Sequence, residues 1–219
     1  GNHNKTWITA LGGYNLPIAV TNTTFQLFVD AAYSYSTTHI NKAELIDVTI
    51  TLNASAACIV ANVRNDWNAA TQLFTASKLT PDKEIHVCPW SNVPIPIATT
   101  LVAGPIYYCA IGFNLYSDTV QNASGVSWPI LVFLPISNTL TPGPIDMLAF
   151  VRYLYSNLSL LTAGETIAGL EVGIRVVSGK ADWSIQSLSV MVGAGIGWDV
   201  TPNPYIPPVP PPIPTPQLP

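Results

Sequence analysis

The chain has 219 residues, enough for one large domain, with a net charge of −4 and only 9% charged residues, against about 25% in ordinary soluble domains. No basic patch is present to neutralise phosphates, which excludes nucleic acid as a partner. Hydrophobic residues reach 48% and mean hydropathy is +0.35, yet the uncharged stretch between Glu84 and Asp118 is broken by Pro89, Pro94, Pro96, Gly104 and Pro105, so it cannot be a membrane-spanning helix.

In chain order, residues 1–13 read as an extended leader. Its strand is Thr6, Trp7, Ile8, Thr9, Ala10 and Leu11, and Gly12 and Gly13 form a hinge to the body. Two readings stay open: an ordinary first strand, or a strand donated to a neighbouring subunit. The body, 14–200, reads as a series of short strands at 14–20, 24–30, 44–53, 56–63, 71–76, 84–88, 94–102, 105–116 and 127–136. In the third of these, Ile46, Val48, Ile50 and Leu52 alternate with Asp47, Thr49 and Thr51, the period of two of a half-buried strand. Turn-rich stretches, including Thr80-Pro81-Asp82 and residues 121–125, separate the strands. One helix interrupts them. Pro142-Gly143-Pro144 sets its start, Leu148, Val151, Leu154 and Tyr155 recur at helical spacing, and it ends near Asn157.

Leu170, Val172, Ile174 and Val176 then alternate with Glu171, Gly173 and Arg175, and after Ser178-Gly179-Lys180 a second run returns from Trp183 to Val192. This predicts a long hairpin near the middle of a sheet. Trp183 and Ile185 are out of phase with Leu188, Val190 and Val192, which predicts a β-bulge. The tail, 201–219, holds ten of the 20 prolines and reads as polyproline II. It serves as a stiff linker, or as a strap docked through Tyr205, Ile206, Val209 and Ile213. The fold class is all-β, a sandwich or jelly roll with one short helix, an extended N-terminal strand and a polyproline tail.

Sequons stand at Asn4, Asn22, Asn53, Asn122 and Asn157, which predicts N-linked glycans on a secreted chain. The chain begins without Met or a basic-then-apolar leader, as expected of an extracellular, cell-surface protein whose signal peptide has been removed. Few carboxylates leave little stability to lose on protonation, which suits an acidic habitat. Of Cys58, Cys88 and Cys109, the expected pair is Cys88 with Cys109; three buried thiols is the alternative. His3, His39 and His86 lie far apart with no metal-ligand spacing. Gly193-Ala194-Gly195-Ile196-Gly197 runs toward Trp198 and prolines rather than into a helix, so it is no phosphate cradle. No cofactor is implied.

The run Trp128-Pro129-Ile130-Leu131-Val132-Phe133-Leu134, followed by Gly143-Pro144-Ile145, resembles the family-12 glycoside hydrolases, whose jelly roll carries a Glu-Ile-Met-Ile-Trp-Leu strand and then Gly-Pro-Ile. Phe150 to Leu154, and Leu170 to Arg175 with Ser178-Gly179, resemble that family's helix and its Gly-Thr-Glu strand. The resemblance implies a jelly roll over about residues 126–192 and a pair of catalytic glutamates. In this alignment the two glutamate positions hold Pro129 and Arg175, which implies the fold without the activity. Glu171, four residues before Arg175 and on the same strand face, is expected to pair with it.

The whole package, a charge-poor β-sandwich with sequons and an extended first strand, also resembles subunits of extracellular archaeal thread filaments, joined by donor strands as pilins are. That resemblance implies a non-enzymatic structural protein whose partners are identical subunits. The alternative is a carbohydrate-binding or hydrolase-like jelly roll with Trp90, Trp128, Trp183 or Trp198 stacking on sugar. A viral coat jelly roll is a further alternative.

Overall fold

The computed structural model describes residues 5–10, 16–22, 24–38, 55–78, 80–91, 100–109, 111–136, 144–176 and 180–194. In chain order these form β1 (Lys5–Ala10), β2 (Ile18–Ala19), β3 (Phe25–Thr38), β4 (Ser55–Arg64), β5 (Trp67–Asn68), β6 (Leu73–Phe74) and β7 (Lys83–Ser91). There follow β8 (Thr100–Tyr108), β9 (Ile111–Gln121), β10 (Ser127–Pro135), β11 (Ile145–Asp146), α1 (Met147–Ser156), β12 (Thr166–Val176) and β13 (Lys180–Ala194). The expected jelly-roll class holds: the described chain is mostly strand, with one short helix.

An eight-stranded sheet runs in the order β1-β12-β4-β7-β10-β9-β8, with β2 also on β12; β11-β3-β13 form a three-stranded sheet and β5-β6 a small hairpin. Within the large sheet, β7 and β10 pair in parallel, and every other pair is antiparallel. The central strands carry apolar residues in both phases. In β4, Ile59, Ala61 and Val63 enter the main core while Cys58 and Val60 lie in a second cluster. In β10, Leu131 and Phe133 join the main core, and Ile130, Val132 and Leu134 the second cluster. Continuous apolar runs of this kind are what a strand covered on both faces requires.

The main core lies between the large sheet and a layer made of α1 and the small sheet, which contribute Leu27, Val29, Met147, Leu148, Val151 and Leu154. Phe150 of α1 is at its centre, with ring centroids 5.3 Å from Tyr108, 5.3 Å from Phe113 and 4.9 Å from Phe133. The helix start is fixed by Asp146, a fully buried N-cap. Its carboxylate accepts from the backbone N–H of Leu148 (3.0 Å) and of Leu27 (2.9 Å) and pairs with Arg152 Nη2 (3.1 Å). Its own N–H donates to the Tyr108 hydroxyl (3.0 Å), and Arg152 also reaches the Phe25 carbonyl (3.0 Å). One residue thus ties α1 to strands of both sheets, to β3 through its side chain and to β8 through its backbone N–H. Burial pushes the Asp146 carboxyl above its ordinary range despite these donors, and burial likewise raises the Tyr108 hydroxyl.

Several expectations need correction. The hairpin expected over 170–192 is absent: β12 lies in the large sheet and β13 in the small one, paired with β3. Consecutive strands cross between layers because β12 already has ladders on both of its edges, with β1 and β2 on one and β4 on the other. The bulge is present, where the ladder slips between Ile185 and Ser187. The strand expected over 105–116 is two strands, because Cys109 takes a left-handed turn (φ 47°) between β8 and β9. The strand expected at 14–20 reduces to β2, and that at 71–76 reduces to β6, which pairs with an unforeseen β5. The helix agrees within a turn, ending on Asn157 as its C-cap. The strand at 44–53, the hinge and the tail lie outside the described residues.

Candidate functional site

Neighbouring side chains on a strand point to opposite faces, and directly paired residues share a face. The face of the large sheet away from α1 therefore gathers Glu171 and Gly173 from β12, Asn62, Val60 and Cys58 from β4, and Glu84, His86 and Cys88 from β7. It also takes Trp128, Ile130, Val132 and Leu134 from β10 and Tyr116, Asp118 and Val120 from β9. Its apolar floor, Cys58, Val60, Cys88, Ile130, Val132 and Leu134, is buried. A polar strip crosses that floor.

Glu84 is the centre of the strip. Only 7% exposed, it receives Trp128 Nε1 on Oε1 at 2.7 Å and meets His86 Nε2 through Oε2 at 2.6 Å. The two contacts come from adjacent parallel strands and hold both oxygens of one carboxylate. Asn62 is the register partner of Glu84 across β4 and β7, and its Nδ2 donates to Glu171 Oε1 at 2.9 Å. Two carboxylates thus stand on one face, one strand apart, with an amide between them. Glu171 is level with Val60 and His86, so the two backbones are separated by two strand spacings of about 4.8 Å and by a two-residue offset along the strands. Farther along, Asn114 Nδ2 donates to the Tyr116 hydroxyl at 3.2 Å. Among the described residues no group of three or more His, Cys, Asp or Glu is placed to hold a metal ion.

The floor contains a disulfide, Cys58–Cys88, with Cα atoms 3.9 Å apart. This corrects the expected Cys88–Cys109 pair. Cys58 and Cys88 lie on paired strands, whereas β10 and β9 separate β7 from the strand that leads into Cys109, which is a free thiol. The ladder slips between Ala57 and Ile59, and Pro89 falls in that bulge, a position where its missing N–H leaves no rung unmade.

Of the residues singled out in the sequence, Glu171 and Trp128 belong to this face. Pro129 does not: it shares its phase with Leu131 and Phe133, which enter the main core, so the glutamate position assigned to it is misplaced. Asn62 donates to Glu171, while the expected pairing of Glu171 with Arg175 rests on a side chain outside those described. Arg175 is on β12 in register with Ala56, Trp90 on β7 and Trp183 on β13, while Trp198 is outside the described residues. Glu84, His86 and Asn62 were missed. A signal was present, because Glu84-Ile85-His86-Val87 follows the Glu-Ile-Met-Ile spacing more closely than any part of β10 does.

The remaining expected sites divide. Thr6 to Ala10 lie in β1, which pairs with β12 of its own chain, the position of an ordinary first strand; Leu11, Gly12 and Gly13 are outside the described residues, as are Asn4, Asn53 and the tail residues. Asn157 is exposed just beyond α1. Asn22 Oδ1 accepts from Thr24 N, Thr24 Oγ1 and Phe25 N, and Asn122 Oδ1 from Ser124 N and Val126 N, so both sequons sit in Asx turns at the surface. No described helix is long and apolar enough to cross a membrane.

No protein-family model matches the chain, and no curated protein matches its sequence. Solved structures do match its fold. A family 12 xyloglucanase from Bacillus licheniformis is 17% identical at a TM-score of 0.61, covering 83% of this chain and 68% of that one. The Trichoderma harzianum endoglucanase 3 from family GH12 is 14% identical at 0.57, covering 87% and 71%. The endoglucanase Cel12A from Rhodothermus marinus is 13% identical at 0.55, covering 81% and 66%. The chain therefore has a jelly-roll fold similar to that of the family 12 glycoside hydrolases, as the expected resemblance implied, and the thread-filament resemblance finds no support here.

Proposed function

We propose that this chain is a carbohydrate-active jelly roll that binds a β-linked glucan on the face carrying Glu84 and Glu171 and hydrolyses it with that pair. The observation that carries the reading is the placement of two carboxylates on one sheet face, on the two strands that flank β4, whose Asn62 donates to Glu171 and lies in register with Glu84. The names of the similar structures, a xyloglucanase and endoglucanases, suggest the substrate class. Glu84, held at both oxygens, is the fixed anion and attacks the anomeric carbon as the glycosidic C–O bond breaks. Glu171, half-buried with one oxygen on Asn62, gives its proton to the departing sugar oxygen. Glu171 then takes a proton from water, whose oxygen displaces Glu84 from the anomeric carbon and restores both carboxyl groups.

This departs from the non-enzymatic expectation, which rested on the thread-filament resemblance and on Pro129 and Arg175 occupying the glutamate positions. The polymer reading has no structural observation beside it, since the outer edge of β12 holds the chain's own β1. An extracellular, glycosylated setting remains part of the proposal, supported by the surface sequons. The experiment is release of reducing sugar from xyloglucan and mixed-linkage β-glucan by the wild type, Glu84→Gln and Glu171→Gln. Loss of release in both variants, with thermal unfolding preserved, is expected; release unaffected by either substitution overturns the reading.

A further inference from the structure

We propose that His86 is a positioning residue for Glu84, holding its carboxylate in a proton-sharing pair that makes the site respond to pH. The inference rests on the hydrolytic reading above and deepens it. Residues two apart on a strand share a face, and His86, with no solvent exposure, meets Glu84 at 2.6 Å. Trp128 holds the other oxygen at 2.7 Å. The two contacts differ in kind. An indole N–H always donates and never titrates, whereas an imidazole carries one proton or two. A neutral ring donating through Nε2 orients Glu84 and leaves its charge available for attack. An imidazolium places a full positive charge against the nucleophile and weakens it.

This histidine is a property of the chain rather than of the strand pattern it resembles, where Met follows Glu-Ile. Among the described residues, the groups facing His86 are few. On its own strand are Glu84 and Cys88, the latter in a disulfide; β4 presents Val60 and Asn62, and β10 presents Trp128, Ile130 and Val132. Glu171 lies beyond Asn62, and β9 supplies Tyr116 and Asp118 beyond β10. The charged neighbours are carboxylates, with Glu84 in direct contact, so His86 and Glu84 titrate as a unit.

The first experiment follows the imidazole signals by NMR across pH in the wild type and in Glu84→Gln. The His86 midpoint is expected to fall by about one pH unit or more in the variant, a tenfold loss of proton affinity; an unchanged midpoint overturns the pair. The second compares pH–rate profiles. His86→Met is expected to lower kcat about 100-fold with little change in KM and to shift the acid limb to the pH at which Glu84 alone takes up its proton. His86→Gln, which keeps an N–H donor, is expected to recover part of the rate with the limb still shifted. A wild-type profile in either variant overturns the positioning role, and His86→Gln keeps the test open if His86→Met fails to fold. A wild type that hydrolyses no glucan while its midpoint still depends on Glu84 overturns the hydrolytic reading alone.

Discussion

The two faces of the large sheet are made by the same strands, yet they do different work. Toward α1, alternate residues of β4, β7, β9 and β10 are aliphatic or aromatic and pack around Phe150. On the opposite face, the intervening residues lay Glu84, His86, Asn62 and Glu171 over a buried apolar floor. In the layer that packs on this first face, the Asp146–Arg152 pair serves the frame. The polar groups of the second face form two links between neighbouring strands, Asn62 with Glu171 and Glu84 with Trp128, and Glu84 also meets His86 of its own strand. Polar groups gathered on one face over an apolar floor are what mark it as a place where chemistry can occur.

Substitutions can sharpen or break this contrast. The largest effect is expected at Glu84: Glu84→Gln should lower glucan hydrolysis by about 10³-fold or more while leaving the melting temperature within a few degrees. A comparable collapse of stability would make Glu84 part of the frame. Phe150→Ala should do the converse, costing about 3–5 kcal/mol in denaturant unfolding. Asp146→Ala removes the helix cap and the buried carboxylate that pairs with Arg152, so a loss of about 3 kcal/mol is expected from the same measurement. Replacing Cys58 and Cys88 by serine opens a loop of sequence separation 30 and should cost about 3 kcal/mol, read as a drop in melting temperature that a reductant reproduces in the wild type.

The smallest effect concerns acid. Arg64 donates Nε and Nη2 to Asp66 at 2.8 and 2.7 Å and holds that carboxyl at about 2, below its ordinary 3.8. A lowered value means that Asp66 contributes stability above about pH 4 and loses it as pH falls toward 2. Asp146 has the opposite sign: its carboxyl is raised by burial, so its contribution is greatest when it is protonated and is lost as pH rises through its folded value. Asp66→Asn should therefore flatten the acid end of the stability profile, and Asp146→Asn the other end. Identical profiles for both variants would show that the two carboxylates do not act separately.

How much of this was legible in the sequence depended on whether the signal was local. The helix was, because Leu148, Val151 and Leu154 repeat at its own period. The bulge near Ile185 was, because phase is a property of one strand. The hairpin of β12 with β13 was not: alternation identifies a buried face but says nothing about which ladder covers a strand's edges, and adjacency in sequence was a poor guide to pairing. Pro129 was misplaced for a related reason. The apolar runs of β7 and β10 look alike, and only the layer entered by Leu131 and Phe133 shows which phase faces the core. The Glu84-Ile85-His86-Val87 spacing is a local signal for Glu84, but its partner Trp128 and the neighbouring Asn62 are brought to it by other strands and are not legible locally.

The parallel pairing of β7 with β10 also has a consequence for synthesis. A parallel partner cannot be reached by a tight turn, so β8 and β9 are made before Glu84 meets Trp128, 44 residues downstream, and Asn62 waits 109 residues for Glu171. A ribosome-bound chain ending before β12 therefore carries one carboxylate of the pair, and the face is complete only with the last quarter of the polypeptide. Contacts of such long range also predict folding in milliseconds to seconds rather than microseconds, leaving the unpaired edge of β4 exposed to proteases and chaperones until β12 docks.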